Sequence, residues 1–443
     1  MVKARHLWTN PSYLQNSVSL LLFFASWGIW WSFFQIWLTN DRTGLGLSGG
    51  EVGTIYSINS AATLVIMLFY GTIQDRQGIK RHLVTFCAAV GCFVGPFVMW
   101  VYRPLLETHF FLGAIVGAIV LSAGFISGCG LFEAVAERYS RRGGYEYGQA
   151  RAWGSFGYAM VALVAGFLFT INPAINFWMG SVFALANLLV ITLWKTRTLP
   201  QASDALAQSL GTAEAEVPEE PTTPSFKEMA HLFTLPMIWV FIVLVFGTWT
   251  FYTVFDQQMF PDFYTHLFKD PTQGERVYGV LNSIQVFAES VMMGVVPIIM
   301  RKVGVKRALL MGFGVMCLRI LGCAVFSDPI VVSCVKMLHA IEVPLCSLPA
   351  FRYFTLHFDT RLSATIYLVA FQVSSQIGNV VLSHPLGLLR DRIGYQPTFL
   401  VISATVLVFA IYGAFTLKGD QDEVNGDPFY TDKERRLAEA ETN

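Results

Sequence analysis

Twelve stretches of about twenty apolar residues follow one another along the chain, at 16–39, 52–73, 83–103, 109–136, 148–171, 174–195, 235–260, 277–299, 307–327, 330–355, 363–388 and 396–417. A lipid interior offers no water to backbone N–H and C=O groups, so segments of this length cross it as helices. Composition agrees: 54% of the 443 residues are hydrophobic and only 14% are charged, against about 25% charged in soluble chains, and the mean hydropathy is +0.52. The expectation is an all-α integral membrane protein with twelve transmembrane helices, its partner being the lipid bilayer.

The 37 Phe, 11 Trp and 16 Tyr are ample for interfacial aromatic belts. A net charge of zero argues against nucleic acid as a partner. All seven cysteines (Cys87, Cys92, Cys129, Cys317, Cys323, Cys334, Cys346) fall in apolar segments and read as small buried thiols, with no metal-ligand spacing. No nucleophile, base and oxyanion set appears, so a transporter is expected and not an enzyme. The first apolar segment is too long for a signal peptide, and no cleavage pattern accompanies it.

The polar interruption 198–232, rich in Ala, Glu, Pro and Thr, reads as a linker between two six-helix halves, 1–197 and 233–417, with a polar tail over 418–443. Arg76, Lys80 and Arg81, then Arg138, Arg141 and Arg142, then Arg301, Lys302, Lys306 and Arg307 share one side of the membrane. By the positive-inside rule that side is cytoplasmic, which places the linker and both termini there. Arg390 and Arg392 run against the pattern but come late in the chain.

After the second segment, Gly71-x-x-x-Asp75-Arg76-x-Gly78-x-Lys80-Arg81 resembles the signature of the major facilitator superfamily. Glycines there permit a tight turn and close helix contact, and Asp75 can cap a helix start or pair with the bases. The motif implies conformational switching, not substrate contact. Its echo before the ninth segment is degraded, Met300 to Arg307, while a closer echo, Gly387-x-x-x-Asp391-Arg392-x-Gly394, follows the eleventh.

Charges inside these segments are costly, about 2.5–3.5 kcal/mol each at mid-bilayer, and this chain carries several. Lys336, His339 and Glu342 stand at i, i+3 and i+6, within about a third of a helix circumference. Alone, the trio fits a structural ion pair or a proton relay. Glu133, Arg151, Asp256, Glu289 and Arg319 make the set four acids against three permanent bases, counting Lys336 and Glu342. Pairing leaves one carboxylate over, and an unpaired carboxylate in a dry site takes a proton. Tyr252 with Asp256, and Gln285 with Glu289, each pair hydrogen-bonding groups at i, i+4, as a hydroxyl-rich ligand requires.

Phe132-Glu133-Ala134, the run Tyr145 to Arg151, Tyr252-x-x-x-Asp256-Gln257-Gln258, Arg319, and Lys336-x-x-His339-x-x-Glu342-Val343-Pro344 together resemble the oligosaccharide/proton symporters of the major facilitator superfamily, over nearly the whole chain and in order. The resemblance implies that fold, a bacterial inner-membrane location, no cofactor beyond the coupling proton, and a monomer. It implies a sugar site near the membrane midplane, with Glu133, Arg151, Tyr158, Asp256, Gln285, Glu289 and His339 binding substrate. Glu342 would carry the proton, Arg319 would help expel it, and His339, Lys336 and Tyr252 would link the two tasks. Where lactose-transporting members carry an Asp–Lys pair, this chain has neutral Thr253 and Ser375, and their eighth-helix carboxylate aligns with Val286. Losing both partners together strands no charge. Tyr158 stands for their stacking Trp and Ser155 for a nearby Cys. With Trp30-Trp31-Ser32 and Gln285, these departures resemble the sucrose-transporting branch. The expected function is sucrose–proton symport, the alternatives being lactose, melibiose or raffinose as the sugar, or an uncoupled facilitator or sensor.

Overall fold

In the computed structural model the described residues are 10–77, 81–143, 145, 147–194, 236–357 and 366–420, and their regular structure is helical throughout. The expected linker, 198–232, lies outside them, as do Gly78 and residues 421–443 of the expected tail. The helices are α1 (Pro11–Thr39), α2 (Gly49–Gln77), α3 (His82–Cys92 and Val94–Thr108, bent by 50° between them), α4 (Phe110–Ser140), α5 (Tyr147–Ile171) and α6 (Pro173–Leu193). They continue as α7 (Pro236–His266), α8 (Pro271–Val303), α9 (Val305–Val325), α10 (Pro329–His357), α11 (Ser374–Ile393) and α12 (Tyr395–Thr416).

Ten of these are long and apolar enough to cross a membrane, or eleven if the two parts of α3 count as one span. α11 is the exception to the twelve expected. It is helical, but Ser374, Ser375, Gln376, Asn379, Ser383 and His384 make it too polar to qualify on composition. Large apolar side chains such as Leu68, Phe111, Ile171, Ile330 and Phe415 are exposed. Lipid is the solvent that makes such a surface stable.

The chain packs as two compact units. The first comprises the described residues of Met1–Glu220 with Gln258–Phe287 and Ser383–Leu388; the second comprises those of Pro221–Gln257, Ala288–Leu382 and Leu389–Asn443. α7, α8 and α11 therefore each contribute to both.

α1 is the core of the first unit. Trp30, Phe33, Phe34 and Trp37 are each at most 1% exposed, whereas Trp27 and Trp31 are only half-buried. The start of α1 is fixed by Asn10, whose side chain accepts from Ser12 N and Tyr13 N and donates 2.8 Å to Gly143 O. Asn16 donates to the Tyr145 hydroxyl at 2.8 Å, tying the α4–α5 connection to α1. Burial pushes the Tyr145 phenol up to about 12, with Asn16's hydrogen bond pulling the other way.

In the second unit Phe241 packs on Tyr353 and Phe354, and Phe255 on Phe399. Two π-helical turns interrupt α7, at Phe246–Thr250 and Phe255–Met259. Such turns cluster at functional sites, because the extra residue re-aims the side chains beside it.

The two motif echoes have local physical causes. A Cβ on Gly387 would stand 2.0 Å from Gly49 O, so only glycine lets α11 meet the start of α2. Gly394 and Gly304 have φ of +84° and +89° and open α12 and α9, a backbone geometry that side chains disfavour. Of the first copy of the motif, Gly71, Asp75 and Arg76 lie in the last turns of α2, with Gly71 exposed.

Candidate functional site

The in-membrane charges singled out from the sequence fall into two clusters, one in each unit. In the first, Arg151 on α5 meets Glu133 on α4, Nε to Oε1 at 2.5 Å, with both side chains about 30% exposed. Arg151 Nη1 donates to Ser155 Oγ at 3.1 Å, one turn along α5. Its guanidinium lies over the Phe24 ring of α1, 4.2 Å from the centroid. Gly154 and Gly157 allow this, since a Cβ on either would collide with Phe24 or with Leu21 O. Further along the same contact, Tyr158 lies against Gly28, and its hydroxyl is 3.2 Å from Ser32 Oγ. Phe24, Gly28 and Ser32, at i, i+4 and i+8, make one stripe of α1 facing Arg151, Ser155 and Tyr158 of α5. An ion pair kept partly hydrated beside aromatic faces can exchange its partners for ligand hydroxyls. Gln285, also in the first unit, is 4% exposed.

The second cluster is deeper at its centre: Arg319 and Glu342 are fully buried, while Asp256 and Glu289 keep 20% and 24% of their side-chain surface. Arg319 on α9 is fully buried and holds two carboxylates: Nη1 reaches Glu342 Oε1 at 2.5 Å, and Nη2 pairs with Asp256 Oδ1. Tyr252 and Phe255 place their rings at 5.7 and 5.2 Å from the guanidinium. The other oxygen of Glu342, Oε2, is buried with no hydrogen-bond partner among the described residues. His339 Nδ1 is the hub of the remaining contacts. It stands 2.7 Å from the Tyr252 hydroxyl, 3.1 Å from Arg319 Nη1, 3.3 Å from Glu342 Oε1 and 3.5 Å from Asp256 Oδ1. Nδ1 therefore faces a donor-only guanidinium, two carboxylates and a phenol at once, and the ring's tautomer decides which of these it bonds. Nε2, on the other side of the ring, lies 3.9 Å from Glu289 Oε2. Lys336, 2% exposed, is within electrostatic reach of Asp256 and Glu342.

One expectation holds for a different reason than the one given by sequence spacing. Lys336, His339 and Glu342 do share a face, but not on a continuous α-helix. α10 breaks between Lys336 and His339, and the bonds there tighten to three residues per turn, as in Leu338 N to Val335 O, Ala340 N to Met337 O and Ile341 N to Leu338 O. At three residues per turn, positions i and i+3 eclipse, which lines the trio up. Thr253, buried, donates to Trp249 O at 2.8 Å, so the neutral replacement strands no polar group.

The four-to-three charge balance needs correction. The structure buries two further acids, Asp262 and Glu275, at 5% and 6% exposure, both in the first unit. Glu275 Oε1 accepts from Asn40 Nδ2 at 3.0 Å, and Asp262 accepts from Thr39 Oγ1 at 2.8 Å, with Gln35 Oε1 accepting from Asp262 N. Sequence reasoning missed them because α7 and α8 each run six residues beyond the apolar windows, to His266 and from Pro271. In the second unit the acids gathered around Arg319 are Asp256 and Glu342, with Glu289 reached through His339.

Comparison with known proteins accords with this chemistry. Residues 6–426 match the family described as LacY proton/sugar symporter. The chain is 42% identical over 415 residues to a sucrose permease of Escherichia coli, covering 94% of this chain and 96% of that one. It is 35% identical over 396 residues to a raffinose permease of Escherichia coli, covering 89% and 90%. Among solved structures, the nucleoside transporter NupG superposes with a TM-score of 0.72 at 14% identity, over 92% of this chain and all of that one, which shows the fold. The chain is a multi-pass membrane protein of the LacY proton/sugar symporter family, a transporter and not an enzyme.

Proposed function

We propose that the sugar is sucrose, taken up with a proton by alternating access across a bacterial cytoplasmic membrane, with both termini inside and the monomer as the working unit. The observation that carries the coupling is Glu342, sealed from solvent, with one oxygen on Arg319 and the other without a hydrogen-bond partner among the described residues. The guanidinium already compensates the charge of that carboxylate. The arrangement therefore fits the state just after proton release, and proton loading requires Arg319 to let go. Asp256, already paired with Arg319, is the partner that would keep the cation satisfied during that exchange.

In the first unit Arg151 donates to sugar oxygens, Glu133 accepts from hydroxyls, and the Tyr158 ring packs on an apolar sugar face. Gln285 adds a neutral donor and acceptor. In the second unit Asp256, Glu289 and His339 are the groups proposed to answer to the sugar's arrival, with Tyr252 and Lys336 relaying it to Glu342. Gly71, Asp75, Arg76 and Gly78 are proposed to act in switching between states. One proton entering through about 100 mV releases roughly 2.3 kcal/mol. At about 1.4 kcal/mol per tenfold this sustains a sugar gradient of a little under two decades.

Sucrose is favoured by the 42% identity to a sucrose permease and by the neutral Thr253 and Ser375. The raffinose permease at 35% supports the rival in which another oligosaccharide is carried. Labelled sucrose should accumulate in energised cells expressing the full chain and equilibrate when an uncoupler is added. Adding sucrose to de-energised cells should make the medium alkaline. Uptake of galactosides without sucrose would overturn the choice of sugar, and a flat pH trace would overturn the coupling.

A further inference from the structure

We infer that Asp262 and Glu275 latch the hairpin between α7 and α8 onto the end of α1, and that parting this latch opens the outer side of the transporter. This rests on the alternating-access reading of transport.

Both acids are buried, and neither belongs to the two ion-paired clusters. Asp262, near the end of α7, takes the Thr39 hydroxyl on Oδ1 at 2.8 Å, a closer approach than the 3.1 Å from that hydroxyl to Gln35 O. Asp262 N donates to Gln35 Oε1 at 3.0 Å, so two successive turns of α1 hold the one residue. Glu275, in the second turn of α8, accepts from Asn40 Nδ2 at 3.0 Å. Asn40 is itself fixed, because its Oδ1 accepts from Arg42 N and Thr43 N at 2.8 and 3.0 Å. Beside these bonds Phe33 and Tyr278 pack edge to face, 5.5 Å between centroids.

Gln258–Phe287 packs with the first unit, while the chain before it, through Asp256, and after it, from Ala288, packs with the second. If the units rock in the transport cycle, this hairpin cannot stay seated on α1 while the rest of its two helices moves away. The fasteners suit a joint that must part. A hydroxyl or amide bond of this kind shifts an equilibrium by about 3- to 10-fold, so a few of them hold the hairpin without locking it. A buried ion pair would release far less readily. With both termini inside, the hairpin lies on the outer face, and the joint it closes is the one through which sucrose enters.

The probe is Cys129, half-buried on α4 one turn before Glu133 and within electrostatic reach of Glu133 and Arg151. In right-side-out vesicles carrying the full chain, a membrane-impermeant maleimide is added outside and alkylation of Cys129 is followed by peptide mass spectrometry. Thr39→Val and Asp262→Ala should each speed labelling about 3- to 10-fold, and the two together no more than either alone, as for partners in one bond. Glu275→Ala should act as Asp262→Ala does, whereas Glu275→Gln, which keeps an oxygen acceptor for Asn40, should stay within about twofold of the parent. Thr39→Val is close to isosteric and carries the test where an alanine variant fails to fold. Labelling that is unchanged or slower in Thr39→Val overturns the inference, as does a Thr39→Val effect undiminished in the Asp262→Ala background. Failure of the alternating-access reading looks different: Cys129 labelling in the unaltered chain would then be indifferent to sucrose, whatever the latch variants do.

Discussion

The two ion-paired clusters use the same chemistry at opposite levels of hydration. Glu133 and Arg151 keep about 30% of their side-chain surface, while Arg319 and Glu342 keep none. In the first, water screens the attraction, the pair contributes little to folding, and each ion can trade its partner for a ligand group. In the second, the buried Glu342 and the partly exposed Asp256 rely on one buried guanidinium, and Glu342 cannot lose it without its charge being compensated. The first is therefore suited to recognition and the second to holding and releasing a proton. Position along a helix does not explain this. What differs is the wall around each pair: a glycine-lined groove of α5 against α1 in one case, and Phe255, Tyr252 and the tightened turn of α10 in the other.

The contrast breaks most visibly at the two arginines. Arg319→Gln strips the partner from the buried Glu342 and the partly exposed Asp256, and should cost about 3–5 kcal/mol of stability. Adding Glu342→Gln to that variant should recover part of it, because one stranded charge is gone. The check is the thermal midpoint of purified protein in detergent; no shift in Arg319→Gln would mean that the cluster is wetter than its burial implies. Arg151→Gln should do the reverse. Stability should stay within about 1 kcal/mol, as for other hydrated pairs, while sucrose affinity should fall by about 3 kcal/mol, or ~100-fold, as charged hydrogen bonds to the sugar are lost. Direct sucrose binding to the same preparation reads both numbers. If Arg151→Gln instead melts early with affinity intact, the two clusters have been assigned to the wrong tasks.

Glu342→Gln addresses the coupling alone. A permanently neutral side chain leaves Arg319 its bond to Asp256, so folding and sugar exchange should persist. Accumulation, about 2.3 kcal/mol at 100 mV, should fall to simple equilibration. The measurement is labelled sucrose uptake beside exchange in the same cells. A Glu342→Gln chain that still concentrates sucrose would move the proton to another carboxylate, with Glu289 the next to test.

Much of this was legible in the sequence, because a membrane reduces the alphabet. Apart from α11, apolar runs placed the helix ends to within six residues, and most ionisable residues inside them announced themselves by their cost. Lys336, His339 and Glu342 could be placed on one face by counting. What could not be counted was geometry that depends on departures from the regular helix. The π turns of α7 bring Tyr252 and Asp256 to the same guanidinium, and the break after Lys336 aligns the trio. Partner choice was equally hidden: three bases and four acids allow many pairings, and only packing shows Arg319 taking two of them. Asp262 and Glu275 escaped because helix ends are the least regular part of an apolar pattern. Gly28 and Ser32 gave no signal of their own, since a small residue in an aromatic run acquires meaning only from the ring laid against it.

The smallest expected effect separates stability from charge pairing on one helix. α9 carries Arg319 near its far end, and its start is capped from the end of the described chain: Asp420 accepts from Val305 N at 2.6 Å and from Lys306 N at 3.0 Å. Lys306 Nζ returns a bond to Leu417 O, and Lys418 N donates to the Tyr353 hydroxyl, so the segment after α12 is fastened to α9 and α10 together. Asp420→Ala removes a helix cap and should cost about 0.5–2 kcal/mol, well below Arg319→Gln. The site lies about 20 Å along the helix from Arg319, fourteen residues at 1.5 Å each. If the Arg319 phenotype comes from unpaired charges, Asp420→Ala should lower the thermal midpoint while accumulation and KM for sucrose stay as in the parent. Should Asp420→Ala uncouple transport as Glu342→Gln does, loosening α9 alone would suffice, and the argument from burial would give way to one from helix rigidity.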